Sequence, residues 1–139
     1  MALSYQSKLN DSQCTTIPSR RTYESNKKGF PTNISMNPKI SCIIPFHWMQ
    51  NWQYFLTRCL ESIEKQTFKD YEVILTKAGS MPVNTNRAIK CAEGEIIKIL
   101  FIDDYFAYEN ALKDIVNNFK GGWLVTGCEH DDGERLFNS

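Results

Sequence analysis

Two segments of this chain repeat the same helical spacing of apolar residues. In both, apolar side chains recur at i, i+3, i+4, i+7, i+8 and i+11, which places them on one face of an α-helix. The two sets are Trp52, Phe55, Leu56, Cys59, Leu60 and Ile63, and Tyr108, Ala111, Leu112, Ile115, Val116 and Phe119. The spacing predicts two amphipathic helices, and each needs an apolar surface to cover.

Short apolar runs alternate with these helices and predict strands. The runs are residues 40–44, which Pro45 closes, 71–76, 96–102 and 123–128. A shorter helix is predicted from Asn84 to Ala92, with Asn84 as its cap and Gly94 as its stop. Alternating strands and helices predict an α/β domain with a mainly parallel sheet and flanking helices.

The domain is predicted to occupy residues 39–139, preceded by an arm at residues 1–38. The chain has 139 residues, enough for one domain. Residues 1–39 hold six Lys or Arg residues against two acids, with few apolar residues and no period. Such a segment buries too little apolar surface to offset its ordering entropy, so the arm is predicted to be basic, flexible and poorly ordered.

Composition argues against several classes of protein. The formal net charge is zero, which disfavours binding to nucleic acid. No apolar run reaches the roughly 18–20 residues that span a bilayer, and the N-terminus lacks the apolar core of a secretory signal. The five cysteines are odd in number and form no Cys-x-x-Cys pair. These features predict buried, reduced thiols in a cytoplasmic protein.

Polar residues follow the predicted strands. In open α/β sheets, ligands bind at the edge where parallel strands end. His47, Lys77 and the pair Asp103-Asp104 all come shortly after a strand. Adjacent carboxylates suit Mg²⁺ or Mn²⁺, but they also suit the N-terminus of a following helix. The spacing alone leaves both interpretations of the pair open.

Residues 40–104 resemble the N-terminal half of family 2 glycosyltransferases, which have the GT-A fold. Residues 41–45 resemble the family's opening strand, which ends in Ile-Pro. The most specific match is residues 56–74, similar to the family's Leu-x-x-Cys-Leu-x-Ser-Ile-x-x-Gln-Thr pattern and the Glu-Val-Ile strand after it. Residues 86–95 resemble Asn-x-Gly-Ile-x-x-Ala-x-Gly-Glu, and Asp103-Asp104 falls where the metal-binding Asp-x-Asp-Asp motif ends.

The resemblance implies a site for a nucleotide-diphosphate sugar, foremost a UDP-sugar, with a divalent cation, Mn²⁺ or Mg²⁺. It makes Asp103 the principal metal ligand and Asp104 a secondary one. Its other donor-binding residues are those flanking the nucleotide, Pro45, Phe46, His47, Lys77 and Ser80, and those near the diphosphate, Asn86 and Arg87.

The chain departs from the family pattern at several positions. Lys77 stands where the family often has a carboxylate that recognises the base, Thr85 replaces a basic residue, and Phe101 replaces the first Asp of the metal motif. The likeness fades near Cys128, whereas family members continue into an acceptor site that contains the catalytic base. The resemblance therefore implies the donor-binding half of a glycosyltransferase, apparently truncated.

Two further expectations stand beside that assignment. The alternative to a glycosyltransferase is an inactive module that binds a nucleotide sugar or a protein partner. A sheet that lacks further strands also exposes an edge, which predicts marginal stability or self-association of the isolated chain.

Overall fold

The computed structural model describes residues 14–17, 37–130 and 135–137. Most of the predicted N-terminal arm lies outside these residues. The strands are β1 (Cys14–Ile17), β2 (Ile40–Pro45), β3 (Tyr71–Thr76), β4 (Ile96–Ile99), β5 (Cys128–Glu129) and β6 (Arg135–Phe137). The helices are α1 (Trp52–Glu64), α2 (Met81–Cys91) and α3 (Ala111–Asn118).

Four strands form the central sheet in the order β1-β3-β2-β4. Strand β2 pairs in parallel with β3 on one side and with β4 on the other. Strand β1 joins the outer edge of β3 in the antiparallel direction, with Cys14 opposite Thr76 and Ile17 opposite Val73. The α/β class predicted from the sequence is confirmed, but the sheet is mixed because of β1.

The two faces of the sheet bury different helices. Alternate residues of a strand point to opposite faces. Cys42 and Ile44 of β2 therefore join a large core with residues of α1 and α3, whereas Ile43 joins a small cluster with Ala88 of α2. Helices α1 and α3 thus cover one face, and α2 covers the other.

The strand predicted at residues 123–128 is wrong. Residues 123–127 form no strand, and Trp123 is 98% exposed. β5 pairs instead with β6 in a separate two-stranded sheet. An apolar run becomes a buried strand only where a partner strand and a covering layer exist, and this run finds neither among the described residues.

Strand β4 forms an edge of the central sheet, where Ile97 and Ile99 are 40% and 38% exposed. Self-association through this edge stays a prediction.

The prediction that Cys91 is a buried, reduced thiol is also wrong. Cys14 and Cys91 form a disulfide that joins β1 to the last residue of α2. Their separation of 77 positions in the chain hides the pairing, which arises because β1 lies on β3 beside α2. Cys42 and Cys59 are free and buried, as predicted, but Cys128 is exposed.

Alkylation should distinguish the three kinds of cysteine. Burial raises the pKa of the Cys42 and Cys59 thiols to about 12, so neither forms the nucleophilic thiolate near pH 8. We expect iodoacetamide to modify only Cys128 in the native, unreduced protein, the three free thiols after unfolding, and all five cysteines after unfolding with reductant. Mass spectrometry counts the adducts. Modification of Cys42 in the native state, or of all five cysteines without reductant, would contradict the assignment.

Candidate functional site

The three segments that follow β2, β3 and β4 emerge at one edge of the sheet. All three strands are parallel, so their carboxyl ends coincide. The amide of Phe46 donates to Thr76 O at 2.8 Å, and the amide of Leu100 donates to Ile43 O at 2.9 Å, which extends the ladders beyond the strand ends. The edge therefore holds Phe46 and His47, residues 77–80, and residues 100–104.

Asp103 and Asp104 lie in a tight turn after β4, residues 101–104, called the acidic turn below. The Asp104 amide donates to Phe101 O at 3.0 Å, and the Phe101 amide donates back to Asp104 Oδ2 at 3.3 Å. The Asp103 side chain is exposed and accepts no hydrogen bond from the described residues. The alternative in which the pair caps the next helix is wrong, because α3 begins only at Ala111 and Asp104 caps its own turn.

The two carboxylates differ in their surroundings. Desolvation of the Asp104 carboxylate and the charge of Asp103 raise the pKa of Asp104. The hydrogen bond from Phe101 and the nearby Lys98 and His47 oppose that rise. Mutual repulsion between adjacent carboxylates is relieved when a cation binds between them.

His47 connects the acidic turn to the end of β2. Its ring packs against Phe101 edge to face, with 6.5 Å between centroids. Phe46, the preceding residue, packs edge to face on Trp52 of α1 at 5.3 Å. These contacts bring the segment after β2 against the turn that carries Asp103.

Asn84 links the segments after β2 and β3, a role that the sequence analysis missed. It was predicted to cap a helix, but α2 already begins at Met81 and places Asn84 within its first turn, only 1% exposed. Its Nδ2 donates to Phe46 O at 2.8 Å and to Gly79 O at 3.0 Å. The available signal was a short polar side chain near the start of the helix that follows β3, and many helix N-termini carry such a residue.

Arg87 and Asn84 pack closely against Gly79. A Cβ atom at position 79 would lie 2.8 Å from Val83 Cγ1, 3.1 Å from Asn84 Oδ1 and 3.2 Å from Arg87 Nη1, so only glycine fits at this position. Asn84 Oδ1, Arg87 Nη1 and His47 Nδ1 are buried and have no hydrogen-bond partner among the described residues. Buried polar atoms are nearly always paired, so unpaired ones at this edge point to a ligand or to water.

The remaining candidates occupy the same edge with different exposure. Pro45 is buried as the last residue of β2, and Lys77 is half-buried with its Nζ 6.0 Å from the ring centroid of Phe46. Ser80 is the exposed N-cap of α2, and Asn86 is exposed on the same helix. The structure thus connects Phe46, Lys77, Asn84 and Arg87 on one side and His47, Phe101 and the acidic turn on the other.

The part of the chain that the structure describes contains no group of three or more His, Cys, Asp or Glu residues arranged to hold a metal ion by itself. Protein sites for Mg²⁺ often supply only one or two carboxylates, with substrate phosphates completing the coordination. The acidic turn fits such a shared site.

Among the residues that the structure describes, none of the helices has both the length and the apolar character needed to span a bilayer.

Comparison with curated proteins relates part of this chain to a glycosyltransferase. The chain is 30% identical over 105 residues to glycosyltransferase GlyA of Streptococcus pneumoniae serotype 4, over 70% of this chain. The match spans 13% of the length of that relative. No family model matches the chain, and no solved structure matches it significantly. The chain is therefore a distant relative of part of a glycosyltransferase.

Proposed function

We propose that this chain is the donor-binding region of a family 2 glycosyltransferase with a GT-A-type sheet. Its ligand would be a nucleotide-diphosphate sugar, foremost a UDP-sugar, together with Mn²⁺ or Mg²⁺. The observation that carries the proposal is the exposed Asp103 carboxylate, free of hydrogen bonds from the described residues, at the carboxyl edge of the parallel strands. The distant relation to GlyA supports the reaction class.

In this proposal Asp103 and Asp104 would hold the cation together with diphosphate oxygens. Asp103 presents its carboxylate to solvent, and Asp104 keeps one oxygen beyond the one that accepts from Phe101. Carboxylate and phosphate oxygens are the hard ligands that both cations prefer. When bound, such a cation offsets the charge that develops on a leaving diphosphate.

The opposite side of the edge would hold the nucleotide and its phosphates. Arg87 places a fixed positive charge beside Gly79, and Lys77 lies near the face of Phe46. α2 has no acidic residue in its first turn, and its N-cap Ser80 makes no side-chain cap among the described residues. Pro82 has no amide hydrogen and the Asn84 amide donates to Ser80 O, so the amides of Met81 and Val83 are the ones that suit phosphate oxygens, with Arg87 as the charged partner.

A cation-independent binding module is the second candidate. Lys77 in place of a base-reading carboxylate and Phe101 in place of the first motif Asp favour it, since both remove acidic groups. No described residue is assigned as the base that deprotonates an acceptor. Binding, rather than turnover, is therefore the quantity that tests both candidates.

Calorimetry of UDP binding with and without Mn²⁺ separates these candidates. We expect Asp103→Asn to weaken Mn²⁺-dependent UDP binding at least tenfold, about 1.4 kcal/mol, because it removes a charged ligand. The control Glu64→Gln removes one negative charge, as Asp103→Asn does, but at an exposed position of α1, and it should leave UDP binding unchanged. UDP affinity that ignores both Mn²⁺ and Asp103 would support the binding module, and absence of any UDP binding would reject both candidates.

A further inference from the structure

The chain between the acidic turn and α3 is held by side chains of α1 and the residues just after it. Residues 105–110 belong to no helix or strand. The Phe106 amide donates to Ser62 Oγ at 3.0 Å, and the Thr67 amide donates to Glu109 O at 2.9 Å. Because these partners are more than 40 positions apart, the contacts fix the irregular segment to the fold rather than to itself.

Gln66 is the centre of this attachment. Its side chain is only 1% exposed, and both ends of its amide are engaged. Nε2 donates to Ser62 O at 3.2 Å and to Tyr108 O at 2.8 Å, and Oε1 accepts from the Leu112 amide at 2.9 Å. A glutamine amide with this pattern fixes the positions of three backbone groups at once.

The bond to Leu112 also caps α3 from outside that helix. Leu112 is the second residue of α3, so its amide has no partner within the helix. Asn110, the N-cap residue, makes no side-chain cap, and its Oδ1 accepts instead from Thr67 Oγ1 at 2.6 Å. Gln66 therefore supplies the cap that most helices obtain locally.

Arg58 holds the other end of the same segment. Its Nη2 donates to the carbonyl oxygen of Asp103 at 3.0 Å, and its guanidinium lies 4.3 Å from the ring centroid of Tyr105. Arg58 contacts the start of the segment that runs from Asp103 to Leu112, and Gln66 contacts its end. The two side chains are eight positions apart in the chain.

We propose that Gln66 is a positioning residue for the acidic turn, and that it acts through residues 106–112. By fixing this segment, Gln66 limits the conformations open to Asp103 and Asp104 before a cation arrives. Ligand groups that are already held in place lose less entropy on binding, so affinity rises. The consequence for cation binding rests on the proposed function, whereas the restraint on the segment does not.

Hydrogen exchange measured by NMR tests the restraint on the free protein. Gln66→Met keeps the size of the side chain and removes its three hydrogen bonds. We expect exchange of the Leu112 amide to accelerate at least tenfold, with the amide of Phe119, the C-cap residue that donates to Ile115 O of α3, little changed. Gln53→Met, an exposed change on α1, is the matched control. Equal acceleration at Leu112 and Phe119, or none at Leu112, would overturn the inference.

A second variant guards against general loss of structure. Gln66→Glu keeps an oxygen that can accept from Leu112 but loses the donors to Ser62 O and Tyr108 O. We expect it to restore part of the Leu112 protection that Gln66→Met loses. Leu112 protection no better than that of Gln66→Met would show that the hydrogen bond from the Leu112 amide to the side-chain oxygen is not what protects this amide, against the inference.

Cation affinity supplies a readout that a merely structural role would not move. In the presence of UDP, we expect Gln66→Met to weaken Mn²⁺ binding at least threefold while UDP binding without Mn²⁺ stays unchanged. If the wild-type protein binds Mn²⁺ with UDP and Gln66→Met binds it equally well, the positioning role is refuted. If the wild-type protein itself shows no Mn²⁺-dependent binding, the proposed function is refuted, and the exchange rates still decide whether Gln66 restrains the segment.

Discussion

Replacing Gly94 with alanine is expected to lower the free energy of unfolding by about 3 kcal/mol, since overpacking at a rigid contact adds to a lost hydrogen bond. A Cβ atom at position 94 would lie 2.6 Å from both the backbone nitrogen and the Oγ of Ser41, and 2.8 Å from the carbonyl carbon of Ile40. Ser41 and Ile40 belong to β2, and the pairing of β2 with β3 and β4 prevents its backbone from moving away from the added methyl group.

A polar network at the same place adds to the expected loss. The Gly94 amide donates to Ser41 Oγ at 2.8 Å, and Ser41 Oγ donates to Glu72 Oε1 at 2.5 Å. The Glu93 amide donates to the same carboxylate oxygen at 2.7 Å. Any shift that makes room for a methyl group at position 94 stretches these bonds, which join β2, β3 and the turn before β4.

Chemical denaturation of Gly94→Ala and Gly122→Ala measures this effect against a matched control. Gly122 has a φ of +71° and no heavy atom within 4 Å of its would-be Cβ. Its replacement should cost only about 1 kcal/mol, the strain of a left-handed alanine. A loss at Gly94 no larger than that at Gly122 would show that the contact with Ser41 relaxes freely.

Asn84→Ala is expected to lower the free energy of unfolding by about 2 kcal/mol, because it removes a buried side chain whose amide donates to two part-buried carbonyl groups. The carbonyl oxygens of Phe46 and Gly79 both accept from Asn84 Nδ2. Asn86→Ala, at an exposed position of the same helix, should change stability little. Thermal and chemical denaturation of the two variants give the difference.

The same substitution should weaken UDP binding at least tenfold, if the edge binds a nucleotide as proposed. Asn84 keeps the segment after β2 and the turn after β3 at a fixed separation, and both segments would contact the nucleotide. Stability that falls in Asn84→Ala with unchanged UDP affinity would mean that the nucleotide lies elsewhere.

The sequence predicted best where one periodic signal decides the structure. The spacing from Trp52 to Ile63 predicted α1, which extends from Trp52 to Glu64. β2 and β3 also follow their apolar runs, because their positions between two covering layers demand apolar residues on both faces. These elements depend on local pattern and general burial.

The sequence failed where a distant partner decides the structure. β1 has four residues and exists through its pairing with β3, which no local pattern reveals. The helical spacing from Tyr108 predicted too early a start for α3, because Gln66 and Thr67 hold residues 108–110 in another conformation. Asn84 escaped notice for the same reason, since its partners at Phe46 and Gly79 come together only in the folded sheet.

The central claim is that Asp103 and a nucleotide diphosphate hold one cation at the carboxyl edge of the sheet. Paramagnetic broadening of backbone amide signals by Mn²⁺ in the presence of UDP tests it most directly. We expect selective broadening of residues 46–47, 77–80 and 101–105, no broadening of residues 93–95 at the opposite edge, and loss of the effect in Asp103→Asn. Broadening centred away from these segments, or equally strong in Asp103→Asn, would contradict it.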